Sequence, residues 1–123
     1  MNKQPNCFIK QRGLPDGVEW ASGNIFIRRI QASLGQVVEG HTHHFDHTTI
    51  LFTGSVSVVA TAPDGTSHTQ TFTAPAHFLI LAQSTHEITA LADNTEFWCV
   101  YSHRDAQGEV VQEYNGWDDP AYH

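Results

Sequence analysis

From Asn24 onward, apolar and polar positions alternate with a period near two, and no window shows an apolar stripe of helical spacing. Ile25, Ile27 and Arg29 interleave with Phe26, Arg28 and Ile30. His47 opens a β-rich run through Phe52, Gly54 interrupts it, and Ser55–Val59 resumes it. Pro63-Asp64-Gly65 predicts a turn, because Asp-Gly readily adopts positive φ. Further short strands are expected over about 67–73, 77–82, 86–92, 95–102 and 109–114. Closely spaced short strands indicate an all-β sandwich or barrel. Residues 1–23 read as an N-terminal arm with Gly/Pro breaks, 24–103 as the barrel, and 104–123 as a C-terminal strand with an acidic aromatic tail, all one domain. Some strands are apolar on both faces, as in Phe97-Trp98-Cys99-Val100-Tyr101. One face then meets the core and the other a second subunit, which predicts a homodimer.

Composition narrows the function classes. With 123 residues and 40% hydrophobic content, the chain suits one folded domain. The net charge of −7 comes from 6 Lys+Arg against 13 Asp+Glu, and the only adjacent basic pair is Arg28-Arg29. No basic stripe is available to neutralise phosphates, so nucleic acid is not an expected partner. No apolar run is long enough to span a membrane, and the start lacks a signal-peptide stretch. Cys7 and Cys99 cannot make a disulfide framework, so a cytoplasmic location is expected.

The chemistry concentrates in histidine. Four of the nine fall between residues 41 and 47, in Gly40-His41-Thr42-His43-His44-Phe45-Asp46-His47. On a strand, His41 and His43 share a side and can share one metal ion. A straight strand would carry His47 about 13 Å past His43, whereas metal–nitrogen bonds are only about 2.0–2.1 Å. If all three bind one ion, the chain bends at His44-Phe45-Asp46 between a strand end and the next strand's start. The competing readings are a solvated histidine-rich loop and the His-x-His-x-Asp-His loop of metallo-β-lactamase-like hydrolases. For the latter this stretch is one residue too long and the chain about half the required length.

The same stretch resembles the first motif of the cupin superfamily, Gly-x5-His-x-His-x3–4-Glu-x6-Gly. Gly35, His41, His43, His47 and Gly54 stand at its spacings, with His47 where the family usually has Glu. Of the second motif, Pro-x-Gly-x2-His-x3-Asn, only His86 is kept, in Leu81-Ala82-Gln83-Ser84-Thr85-His86, with Ala90 in the Asn place. The resemblance covers about residues 24–103. It implies a double-stranded β-helix (jelly-roll) barrel holding one divalent transition metal per chain on His41, His43, His47 and His86. That set is similar to the small four-histidine cupins.

Four neutral ligands would leave the ion's charge uncompensated, favouring an anionic or enolate-like small-molecule substrate. An octahedral ion would keep two open positions. Imidazole suits Zn, Cu, Fe and Ni and leaves Mn open, so residue type does not name the metal. The leading expectation is an oxygen-dependent dioxygenase acting on a chelating diketone- or enediol-like substrate. A metal-assisted isomerase or lyase on a sugar-like or keto acid comes next. A non-catalytic module for small anions, or a structural barrel with an idle metal, competes. Tyr101 and His103 share a β-face with Cys99 and are the candidate catalytic side chains. Cys99 itself reads as a small buried hydrophobe. Arg28 and Arg29 have opposite parity; an inward one would clamp a carboxylate, although a surface or interface salt bridge is the more ordinary role.

Overall fold

Residues 13–14, 16–40 and 45–110 are described by the computed structural model. Among them every regular element is a strand: β1 (Glu19–Ser22), β2 (Ile25–Ala32), β3 (Val37–Glu39), β4 (His47–Thr53), β5 (Ser55–Thr61), β6 (Ser67–Thr73), β7 (Ala76–Ile80), β8 (Thr85–Ala90) and β9 (Thr95–Ser102). No helix here is long and apolar enough to cross a membrane.

The strands form a five-stranded sheet in the order β1-β2-β9-β4-β7 and a four-stranded sheet in the order β3-β8-β5-β6. All pairings are antiparallel. Period-two patterning puts Leu51, Phe78, Ile80 and Phe97 of one sheet against Val56, Val58 and Ile88 of the other, all buried. Phe97, Leu51, Ile88 and Val56 are at most 1% exposed and form the barrel floor.

The glycines of the histidine motif have backbone roles. Gly35 (φ 86°) and Gly54 (φ 81°) both lie in the left-handed region, where a side chain is strained. A Cβ at Gly54 would also overlap Thr95, which is fully buried.

The strands expected between residues 25 and 102 are observed, and two short ones are added. β1 extends the sheet edge into the stretch read as an arm, because Glu19–Ser22 pairs residue for residue with Arg28–Ile25. β3 falls in a run too short to announce itself and is fixed by pairing with β8. Of the strand expected over 109–114, Val110 forms a single bridge to Arg104, and residues 111–123 lie outside the described part.

Candidate metal centre

The inner face of the five-stranded sheet changes from apolar to polar toward one end. Phe26 opposes Tyr101 across β2 and β9. Thr48 opposes Val100, and continuing that register by one residue sets His47 beside Tyr101. Their ring centroids are 6.0 Å apart. From the facing sheet, β8 brings up His86, with Ile88 and Ala90 alternating below it. His47 and His86 are 4% and 8% exposed, and their ring centroids lie 5.2 Å apart. Two imidazoles from different sheets thus meet across the barrel mouth.

Gly40 explains how a third element reaches this pair. Its N–H donates to the His86 carbonyl at 2.9 Å, extending the β3–β8 ladder. A Cβ at Gly40 would overlap the His86 imidazole. Only glycine lets the backbone lie against that ring. On the far side, Phe45 packs on Tyr101 with centroids 5.0 Å apart, and Asp46 Oδ1 accepts the Ala82 N–H at 2.7 Å. The chain is therefore beside His86 at Gly40 and beside Tyr101 at Phe45. His41 and His43, the two expected ligands between these points, lie outside the described residues, as does His44. Among the described residues, no group of three or more His, Cys, Asp or Glu side chains gathers at one point.

Tyr101 is wedged between aromatic neighbours, stacked on Phe26 at 5.1 Å and touching Phe45. Burial raises its phenol above the ordinary tyrosine range, Glu19 and Cys99 add to the rise, and Arg28 opposes it. The group stays protonated at neutral pH and remains a hydrogen-bond donor. His103 stacks on the other side of this cluster, 6.2 Å from Phe26, and marks the rim. Arg104 lies over the Phe45 ring, its guanidinium carbon 4.2 Å from the centroid, and donates to the Gly108 carbonyl at 2.9 Å. Burial pushes the Cys99 thiol up, with Thr49 and Arg28 pulling the other way, so Cys99 is an unreactive neutral thiol. His68 and His77 are exposed on β6 and β7, apart from the pair.

Three side chains of this mouth were not singled out from the sequence. Phe26, Phe45 and Arg104 are individually ordinary: the β2–β9 register sets Phe26 against Tyr101, the stretch before β4 lays Phe45 on the same ring, and Arg104 covers Phe45.

No family model and no curated protein matches the chain. Solved structures do resemble it. A variant of Bacillus subtilis oxalate decarboxylase superposes with TM-score 0.60 at 20% identity, over 76% of this chain and 24% of that one. Another oxalate decarboxylase structure, concerned with substrate binding mode and a reaction specificity switch, gives TM-score 0.60 at 22% identity, over 67% and 22%. The fold is a cupin fold. The double-stranded β-helix implied by the cupin resemblance is thereby shown for the strands themselves. This cupin domain spans about a quarter of the length of the oxalate decarboxylase chains it resembles.

Proposed function

We propose that this cupin domain is a metal-dependent enzyme acting on a small chelating substrate, with one divalent transition metal held by His41, His43, His47 and His86. The observation that carries this reading is the buried His47–His86 pair, with Gly40 as the residue that makes room at the His86 ring. The donor set fits such an ion: imidazoles suit first-row transition metals, and the buried pair shields the site from bulk water. When bound, the metal would supply a Lewis-acid centre for an enolate-like oxygen.

The chain's own residues prepare the rest. Phe26 and Phe45 hold the Tyr101 ring in place. Its protonated hydroxyl donates to a substrate anion and favours the negatively charged form. His103 stacks on Phe26 at the rim of this cluster. Phe97, Leu51 and Ile88 close the floor against water.

Oxygen-dependent cleavage of a diketone- or enediol-like compound is the reaction proposed. A second reading, a metal-assisted lyase on a keto acid, is favoured by the decarboxylases among the structural neighbours. The working unit is a homodimer, supported by the aromatic outer face of the five-stranded sheet, where Phe52 is 44% exposed.

Elemental analysis of protein purified without added metal tests the site. About one transition metal per chain is expected in the wild type, and His47→Ala/His86→Ala and Gly40→Ala should both lose it. Metal kept at wild-type stoichiometry by the double variant overturns the site. Oxygen uptake on a panel of diketones and enediols supports the oxygenase, whereas carbon dioxide release from keto acids without oxygen uptake supports the lyase.

A further inference from the structure

The adjacent arginines of β2 face opposite ways. Arg29 lies outward, its guanidinium carbon 5.8 Å from the Trp20 ring centroid. Arg28 faces inward, opposite Glu19 on β1 and Cys99 on β9. Cys99 in turn opposes Thr49, whose Oγ1 is 3.8 Å from its Sγ. Glu19, Arg28, Cys99 and Thr49 thus form one cross-strand row on the inner face, directly below the row of Phe26, Tyr101 and His47. Arg28 is the single cation of that row.

Its ion pair is a poor use of a guanidinium. Arg28 Nε lies 3.5 Å from Glu19 Oε1, and the side chains are 36% and 52% exposed. The Nε atom is buried and has no hydrogen-bond partner. An exposed, loosely aligned pair contributes little, and most of the planar fork of donors remains available to a carboxylate. The positive charge also reaches Cys99 and Tyr101, whose ionised forms it favours.

We propose that Arg28 is the anion clamp of the barrel mouth and sets substrate specificity by binding a carboxylate distal to the metal-chelating end. This rests on the metal site proposed above. Arg28 is two strands and one pleat repeat from His47, which separates their Cα atoms by roughly 12 Å. The two groups therefore suit opposite ends of a substrate with a few carbon atoms between them. A compact diacid such as oxalate would reach only one of them. The substrate class is a chelating 2-oxo or enediol acid carrying a second carboxylate. Glu19 competes for the same guanidinium, so removing its charge should strengthen binding.

The test is calorimetric titration of the full chain loaded with Zn(II), which is redox-silent, using 2-oxoglutarate and 2-oxobutyrate as probes. The two share a chelating end and differ in the distal carboxylate. Wild type is expected to prefer 2-oxoglutarate by roughly tenfold to a hundredfold, the range for a hydrogen-bonded charge. Arg28→Gln should erase the preference while leaving 2-oxobutyrate affinity unchanged, and Arg28→Lys should restore part of it. Glu19→Gln should tighten 2-oxoglutarate alone. Equal affinity for both acids in wild type, or a preference that survives Arg28→Gln, overturns the clamp and leaves the metal site standing. If neither acid binds the zinc-loaded wild type, the clamp falls together with the metal reading. Should Arg28→Gln fail to fold, Glu19→Gln decides: unchanged or weaker 2-oxoglutarate binding overturns the clamp.

Discussion

The two sheets share one interior and present different exteriors. The four-stranded sheet shows Ser57, Thr61, Ser67, Thr69 and Thr71 on its outer side, with Glu87 among them. Thr61 and Ser67 join their hydroxyls across the strands at 3.0 Å. The five-stranded sheet shows Trp20, Phe52 and Trp98, packed edge to face with centroids 5.6 Å and 5.0 Å apart. Ile27, Ile50 and Val100 lie around them on the same face. Both sheets are antiparallel and bury an apolar inner face, so neither pairing nor core demands of them different outer residues. Short hydroxylated residues are what a solvated antiparallel face carries. An aromatic cluster in the equivalent place is the surface that the proposed homodimer would cover. The contrast is the physical basis for expecting two copies to pair through the five-stranded sheet.

The largest effect comes from breaking the aromatic face directly. Trp98→Glu places a charge in the middle of the cluster and should convert a dimer to a monomer by light scattering at micromolar concentration. Ser57→Glu, a charge of the same kind on the hydroxylated face, should leave the mass unchanged. A wild-type monomer, or dissociation by Ser57→Glu alone, reverses the assignment of faces.

A second pair of substitutions separates the interior from the exterior. Leu51 is fully buried among Val56, Ile88 and Phe97. Leu51→Ala should cost about 2–5 kcal/mol, the range for an emptied core position. That cost should be the same at low and high protein concentration in urea unfolding. Trp98→Ala should behave differently, with a cost that shrinks on dilution, because stabilisation by a partner follows mass action. A concentration-independent cost at Trp98 would make the aromatic cluster a second small core instead of an interface.

Most of the architecture was legible because alternation is a local signal. The run from His47 to Phe52, the break at Gly54 and the turn at Asp64-Gly65 are each written in adjacent residues. β1 and β3 were not, since Glu19–Ser22 and Val37–Glu39 are too short to show a period and are fixed by partners elsewhere in the chain. At the site, His86 was found because a spaced motif names it, although it meets His47 only through the packing of the sheets. Arg28 shows the limit. Parity separated it from Arg29, but which parity faces inward depends on the β2–β9 register, and that register is a long-range fact. The ligand roles of His41 and His43 rest on spacing and resemblance, since both fall outside the described residues.

The smallest effect sharpens the same contrast by asking what fixes the aromatic face. Glu96 sits at its border, where Oε2 accepts the Trp98 indole N–H at 2.9 Å and Oε1 accepts the Gln31 side-chain N–H at 3.0 Å. These bonds, the Trp98 one foremost, hold its carboxyl below the usual glutamate range, while partial burial pulls the other way. A carboxylate whose folded pKa lies below its unfolded value binds fewer protons in the folded state. Its contribution to stability is therefore present above the unfolded pKa and is lost as pH falls through the folded one. Glu96→Gln keeps the shape and removes this linkage. The stability difference between wild type and Glu96→Gln in urea should be constant from pH 6 to 8 and fade on acidification to about pH 3. The effect should be modest, because the group is close to solvent. A difference that persists unchanged into acid would mean that Trp98 is held by packing with Trp20 and Phe52 alone, and that the carboxylate is a bystander on that face.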